Sequence, residues 1–147
     1  MSHASIIPLI GGETIAMQNV FDEEPKYILS YTDFEANDSQ LVNYYNNRVP
    51  YIKLDKGGSA PFRVDVVNTV CPCAGLSSLS FTSGSDNPAN DWMLRAARYV
   101  LEYIKPEVFW GENAPRLASK MGQPIVKEMR KMAKEFGYSV SLYKTKS

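Results

Sequence analysis

The sequence predicts an α/β protein, a mostly parallel sheet with helices on both faces. Three observations carry that prediction. Short apolar or β-branched runs alternate along the chain with segments of helical spacing, the order that parallel sheets require. Most of those runs end in Gly or Asp. The 147 residues suit one domain, large enough for a real core and too small for two.

Each element can be justified in order. Ile6-Ile7-Pro8-Leu9-Ile10 is an apolar run stopped by Gly11-Gly12 and reads as a buried first strand. Glu13 to Phe21 reads as a short helix, and Tyr27 to Tyr31 as the second strand. A polar turn follows, then a helix through Leu41, Val42, Tyr44 and Tyr45. Val49 to Leu54 gives a third strand, ended by Asp55 and Gly57-Gly58, and Val64 to Val70 a fourth, rich in β-branched residues. Cys71 to Asn90 is a long polar segment. Asp91 then opens a helix with Trp92, Leu94, Ala96, Tyr99, Val100 and Ile104 at helical spacing, until Pro106 ends it. Val108-Phe109-Trp110 is the fifth strand, Pro124 to Phe136 an amphipathic helix stopped by Gly137, and Tyr138 to Tyr143 a last strand. Trp92, Trp110 and the methionines read as core.

Sixteen basic residues balance sixteen acidic ones, but the halves differ. Residues 1–70 carry 5 Lys/Arg against 9 Asp/Glu, and residues 71–147 carry 11 against 7. Neutrality argues against a general DNA-coating role, while the basic half is compatible with a polyanionic partner. No apolar run approaches the ~18–20 residues that span a bilayer, and no basic region precedes Ile6 to Ile10 as in a signal peptide. A cytoplasmic protein without a membrane partner is the expectation.

In parallel sheets of this kind ligands sit beyond the carboxyl ends of the strands. That rule selects Gly11-Gly12, Asp33 with Glu35, Asp55, the segment after Val70, and Glu112-Asn113. Two thiols, Cys71 and Cys73, fall short of a four-ligand zinc site, and the single histidine, His3, is expected in a mobile tail, so no metal is expected. The thiols can be read as buried and structural. Cys73, however, opens a Ser/Gly-rich loop at the ligand edge, where a partly exposed thiol of lowered pKa can act as a nucleophile. Glu112 directly follows an apolar strand and should face the same crevice. Alone, such an acid is more often a helix cap or a surface charge.

The string Phe62-Arg63-Val64-Asp65-Val66-Val67-Asn68-Thr69-Val70-Cys71-Pro72-Cys73-Ala74-Gly75-Leu76-Ser77 resembles the strand and Pro-Cys nucleophile motif of the cytosine-C5 DNA methyltransferases. Lys105-Pro106-Glu107-Val108-Phe109-Trp110-Gly111-Glu112-Asn113-Ala114 is similar to the same family's Glu-Asn-Val motif, in the right order and at a fitting separation. The resemblance implies a Rossmann-like, S-adenosylmethionine-dependent methyltransferase fold. It also implies methyl transfer to C5 of a cytosine flipped out of double-stranded DNA. Cys73 would be the nucleophile and Glu112 the acid that holds the base. Gly75, Ser77, Asn113 and Arg116 would face the substrate, Ser77 to Asn87 corresponding to the loop that closes over the flipped base. Arg95 and Arg98 are available for phosphates but read better as solvated helix-face residues.

On the cofactor side, the family's aromatic-x-Gly-x-Gly-Gly loop corresponds to Ile7-Pro8-Leu9-Ile10-Gly11-Gly12, with Ile7 in place of the aromatic and Leu9 in place of the first Gly. The resemblance assigns S-adenosylmethionine to Leu9, Ile10, Gly11 and Gly12, its ribose to Asp33 with Phe34 against the adenine, the adenine amine to Asp55, and a further contact to Pro72. A plain strand-to-helix turn remains the other reading of the glycine pair.

The family continues with an arginine motif, a target-recognition domain and a final helix, none of which is found in these residues. The chain is therefore expected to be a single, partial catalytic domain, incomplete at its C-terminus and inactive in isolation. A complementary chain, or a second copy at an exposed sheet edge, would be its protein partner. Three alternatives stay open: a non-catalytic nucleotide- or partner-binding domain derived from the family, a split subunit, and a methyltransferase acting on RNA or a free base. A prokaryotic or phage source fits best.

Overall fold

Five parallel strands form the centre of the computed structural model, which describes residues 1–70, 89–112 and 123–143, with side chains of 89–91 left aside. In chain order they are β1 (His3–Ile6), β2 (Ile28–Ser30), β3 (Tyr51–Lys53), β4 (Val66–Thr69) and β5 (Val108–Gly111). Their spatial order is β3-β2-β1-β4-β5. The chain adds strands in one direction from β1 and then returns to β1's other side, so the order reverses between β1 and β4. The register there pairs Ser5 with Asn68 and Ile6 with Thr69, and β5 pairs Thr69 with Gly111. This is the α/β class that the alternating pattern predicts.

The chain divides into two compact units, one of Met1–Cys71 with Tyr103–Glu112 and one of Pro72–Glu102 with Asn113–Ser147. The first unit holds the sheet together with α1 (Gly12–Phe21) and α2 (Glu35–Tyr45). Burying both faces of a short parallel strand favours apolar sequence, here interrupted by the buried polar residues His3, Ser5, Ser30, Asn68 and Thr69. β1, β2 and β4 are buried at every position. Ile28, Leu41, Tyr45 and Val49 form one cluster, with Ile15 and Tyr51 packed against it. α1 is unusual in burying Glu13, Thr14 and Met17 while leaving Val20 77% exposed. α2 ends at Asn46, whose left-handed backbone (φ 45°) returns its N–H to Val42 and Asn43.

Three sequence expectations need correction. The first strand is His3–Ile6, not Ile6 to Ile10, because Pro8 has no N–H for a ladder and Ile7 and Leu9 turn left-handed at φ 49° and 53°. His3 is accordingly a fully buried strand residue rather than part of a tail; its Nε2 meets the Glu23 carbonyl at 2.6 Å and its ring packs on Phe21. Tyr138 to Tyr143 forms no strand. Gly137 (φ 85°) turns the chain, the Tyr138 N–H closes back on Ala133, and Leu142 and Tyr143 are exposed without a ladder partner among the described residues.

The second unit contains α3 (Ala89–Tyr99) and α4 (Gln123–Glu135), which pack on one another. Arg98 lies 3.9 Å from Glu102 and 3.8 Å from Glu135 and over the Phe136 ring, which fits the helix-face reading of that arginine. Arg95 lies over Trp92. Trp110 is less buried than a core residue should be, at 37% exposed, with its indole N–H directed at the Met17 sulfur. β5 forms one edge of the sheet, and Val108 on it is half exposed. Among the described residues no helix is long and apolar enough to cross a membrane.

Candidate functional site

The carboxyl ends of all five strands lie in the first unit, and the residues that leave them form a continuous rim. β1 leads into Ile7–Gly12, β2 into a 3-10 turn at Thr32–Phe34, β3 into a second at Leu54–Lys56, β4 into Val70, and β5 into Glu112. The main chain ties the rim together. The Ile7 N–H donates to the Leu29 carbonyl at 2.9 Å, and the Ile7 carbonyl accepts from the Val70 N–H at 3.1 Å.

The Ile7–Gly12 loop is the tightest piece. Gly11 has φ 94°, and a Cβ placed there would lie 2.5 Å from a Leu41 methyl, so only glycine fits. Its N–H closes a turn onto the Pro8 carbonyl. Leu9 occupies the place where the family pattern has its first glycine, and it keeps the left-handed backbone that glycine would adopt at no cost. Asp38 explains how. Fully buried on α2, it accepts the Leu9 N–H at 3.0 Å and the Tyr51 hydroxyl at 2.7 Å. Burial pushes the Asp38 carboxyl up, while hydrogen bonds from Tyr51 and Leu9 pull it back. Ile7 is fully buried, so its side chain belongs to the core, whereas Ile10 is 70% exposed.

Asp33 is exposed on the first 3-10 turn, and Phe34 beside it is buried. Asp55 spends one oxygen on the Thr32 N–H at 3.0 Å, bracing the turn that presents Asp33. Burial acts to raise its carboxyl, but the bond from the Thr32 amide helps hold it below the usual range. Lys53 pairs with Glu35 at 2.9 Å. The structure thus brings Leu9, Ile10, Gly11, Gly12, Asp33, Phe34 and Asp55 to one edge of one sheet, with Glu112 at its β5 end.

Glu112 is exposed, one residue beyond the pair Thr69–Gly111. A Cβ at Gly111 would lie 2.7 Å from the Thr69 carbonyl oxygen, so the approach of β5 to β4 at this level needs a glycine. Behind this end lies a polar cluster that sequence reasoning missed. The Ser5 hydroxyl donates to Asn68 Oδ1 at 2.5 Å and meets the Thr14 hydroxyl at 2.8 Å, while Asn68 Nδ2 donates to Glu13 Oε1 at 3.4 Å. Burial pushes the Glu13 carboxyl up to about 7. An asparagine within a fully buried strand was the available signal for this cluster, and for Asp38 it was an acid sharing a helix face with Leu41 and Tyr45. Pro72, Cys73, Gly75, Ser77, Asn113 and Arg116 lie outside the described residues.

A glycine loop beside the reversal of strand order, with acids at the next two strand ends, is the ligand edge of a Rossmann-like α/β domain. The sequence model of the C-5 cytosine-specific DNA methylase family matches residues 1–145, and the chain belongs to that family. The family's enzymes are methyltransferases that use S-adenosylmethionine. No curated protein matches the chain.

Proposed function

We propose that the chain transfers a methyl group to C5 of a cytosine flipped out of double-stranded DNA, with Cys73 as nucleophile and Glu112 as the acid that holds the base. The observation that carries this reading is the pairing of β4 with β5. Glu112 leaves β5 beside the end of the very strand whose continuation is Cys71-Pro72-Cys73.

C5 of cytosine is a poor nucleophile. A thiolate at Cys73 adds to C6, its electron pair forming the S–C6 bond while the C5–C6 π pair moves onto C5. Glu112, exposed at its strand end, holds N3 and the exocyclic amine and stabilises the charge that develops on the ring. S-adenosylmethionine, when bound, supplies the methyl group. Loss of the C5 proton then expels the thiolate and restores the ring.

The residues on the rim suit that cofactor. The α1 N-terminus follows the Gly11 turn, a place that favours a carboxylate. Among the described residues nothing lies within 4 Å of where a Cβ on Gly12 would sit, so on that side the approach to the backbone is open. Leu9, Ile10, Gly11 and Gly12 would hold the methionine part, Asp33 the ribose hydroxyls, Phe34 and Asp55 the adenine, with Pro72 adjoining. Gly75, Ser77, Asn113 and Arg116 would contact the DNA.

The test uses duplex DNA carrying 5-fluorocytosine together with S-adenosylmethionine. Fluorine cannot leave as a proton does, so the adduct at Cys73 persists and is found by peptide mass. Cys73→Ala should give no adduct, and E112Q should slow its formation by at least about a hundredfold. An adduct found at a residue other than Cys73, or one retained by Cys73→Ala, overturns the assignment.

A further inference from the structure

Asp38, Leu41 and Tyr45 are the buried residues of α2, and their spacing puts them on one face of the helix. Each meets the segment that follows β1. Asp38 accepts the Leu9 N–H at 3.0 Å, a Leu41 methyl would lie 2.5 Å from a Cβ at Gly11, and the Tyr45 hydroxyl donates to Gln18 on α1 at 2.8 Å. Asp38 stands out among them, because a buried carboxyl costs free energy that an apolar residue on that face would not. What it gains is two donors from two other elements, the Leu9 N–H of the loop and the Tyr51 hydroxyl of β3. The loop does little to hold its own shape. Pro8 has no N–H, the Gly11 N–H turns back onto the Pro8 carbonyl, and Leu9 sits left-handed at φ 53°.

We propose that Asp38 is a positioning residue of the cofactor site: by fixing the Leu9 amide on α2 it sets the path of the chain from Leu9 to Gly12, and with it the methionine end of the S-adenosylmethionine site. The bond to Asp38 does for Leu9 what a glycine at that position does through its own backbone freedom. Leu41, one turn further along the same face, presses on Gly11, so α2 holds the loop at two points. The adenosine end is built separately, on the turn that Asp55 braces through the Thr32 N–H at 3.0 Å. Asp38 therefore acts on the grip for the amino-acid part of the ligand and leaves the grip for the nucleoside alone. That consequence rests on the cofactor reading of the rim, whereas the hold on the loop does not.

The experiment compares two ligands by calorimetry on the full 147-residue chain. S-adenosylhomocysteine carries the amino-acid end without a methyl to transfer, and 5′-methylthioadenosine lacks that end. In Asp38→Ala the affinity for the first should fall about tenfold, while that for the second stays within about twofold. Adding Leu9→Gly to Asp38→Ala should recover most of the loss, because glycine takes left-handed backbone unaided. Without any ligand, the Leu9 amide of the unaltered chain should exchange its hydrogen slowly despite lying in a loop, and at least about a hundredfold faster in Asp38→Ala. Equal losses for both ligands, no loss for S-adenosylhomocysteine, or no recovery with Leu9→Gly overturns the proposal. So does a Leu9 amide that exchanges like a free peptide in the unaltered chain, a measurement that decides the matter even where Asp38→Ala does not fold. An unaltered chain that binds neither ligand overturns the cofactor reading instead and leaves the exchange result where it was.

Discussion

The Asp38 carboxylate accepts the Leu9 N–H at 3.0 Å, and through that bond a buried acid on α2 holds a non-glycine residue in left-handed backbone. Left-handed backbone costs an L-residue about 1–2 kcal/mol. Removing the acid therefore has two effects. Asp38→Ala strips the acceptor from both the Leu9 N–H and the Tyr51 hydroxyl and should destabilise by about 2–4 kcal/mol. Asp38→Asn keeps an acceptor and should cost about half as much. Adding Leu9→Gly to Asp38→Ala should recover about 1 kcal/mol, because glycine needs no holding. Denaturant melts of the unaltered chain, Asp38→Ala, Asp38→Asn, Leu9→Gly and the double variant check it. Strict additivity would refute the coupling.

Asp55 is predicted to act on ligand binding more than on stability. Its bond to the Thr32 N–H lies at the surface, so its loss should leave the melting temperature nearly unchanged. The turn it braces presents Asp33. Asp55→Ala should therefore weaken S-adenosylmethionine binding roughly tenfold, the scale of one lost hydrogen bond, measured by calorimetry. Asp33→Ala should weaken it similarly. Unaltered affinity in both variants would remove these acids from the cofactor site.

The strand ends are legible in the sequence because buried parallel strands are rich in apolar and β-branched residues, and the acids after them then stand out. Asp33, Asp55 and Glu112 were found this way. The supporting shell was not legible. Ser5, Thr14 and Asn68 meet only when β1, α1 and β4 are assembled, and spacing along the chain carries no trace of that. The first strand was misplaced for a related reason. Ile6 to Ile10 is more hydrophobic than His3-Ala4-Ser5, but what makes a strand is the ladder, and Pro8 and two left-handed residues cannot supply one. Likewise Tyr138 to Tyr143 alternates as a strand would, and alternation without a neighbour leaves it irregular.

Gly111 should tolerate no side chain. Its missing Cβ would meet the Thr69 carbonyl oxygen at 2.7 Å and the Thr69 methyl at 2.8 Å. Backbone cannot swing aside as a side-chain tip can, so Gly111→Ala must push the end of β5 away from β4. The expected cost is about 1–3 kcal/mol, with methyl transfer reduced further than stability predicts, because Glu112 is the next residue. A chain with normal stability and normal adduct formation would show that the site does not depend on this approach.

His3 and its burial set the acid limb of stability. Burial holds the imidazole below its ordinary value of 6.5, the Glu23 carbonyl and charge opposing. The unfolded chain then binds a proton that the folded chain refuses, so the contribution of His3 to stability falls as pH drops below 6.5. His3→Phe should lose the Glu23 bond, at about 1 kcal/mol, yet flatten that limb. Denaturant midpoints from about pH 7 down to 5 check the slope.

Glu13 works on the other side. Its folded carboxyl titrates at about 7 against 4.5 for an ordinary glutamate, chiefly because it is buried. Between those values the folded chain holds a proton that the unfolded chain has released. By linkage, stability contributed by the neutral acid is complete below pH 4.5 and is lost as pH rises through 7. The displacement corresponds to about 3 kcal/mol, and all of it is a penalty at alkaline pH. Glu13→Gln removes the titration and keeps the amide-shaped neighbour for Asn68, so the variant should overtake the unaltered chain as pH climbs from about 5 to 8. The measurement is the difference in denaturant midpoint between the two chains across that range. A difference that stays constant would mean that Glu13 is ionised in the fold at every pH, and that the cluster behind Glu112 carries a charge rather than a proton.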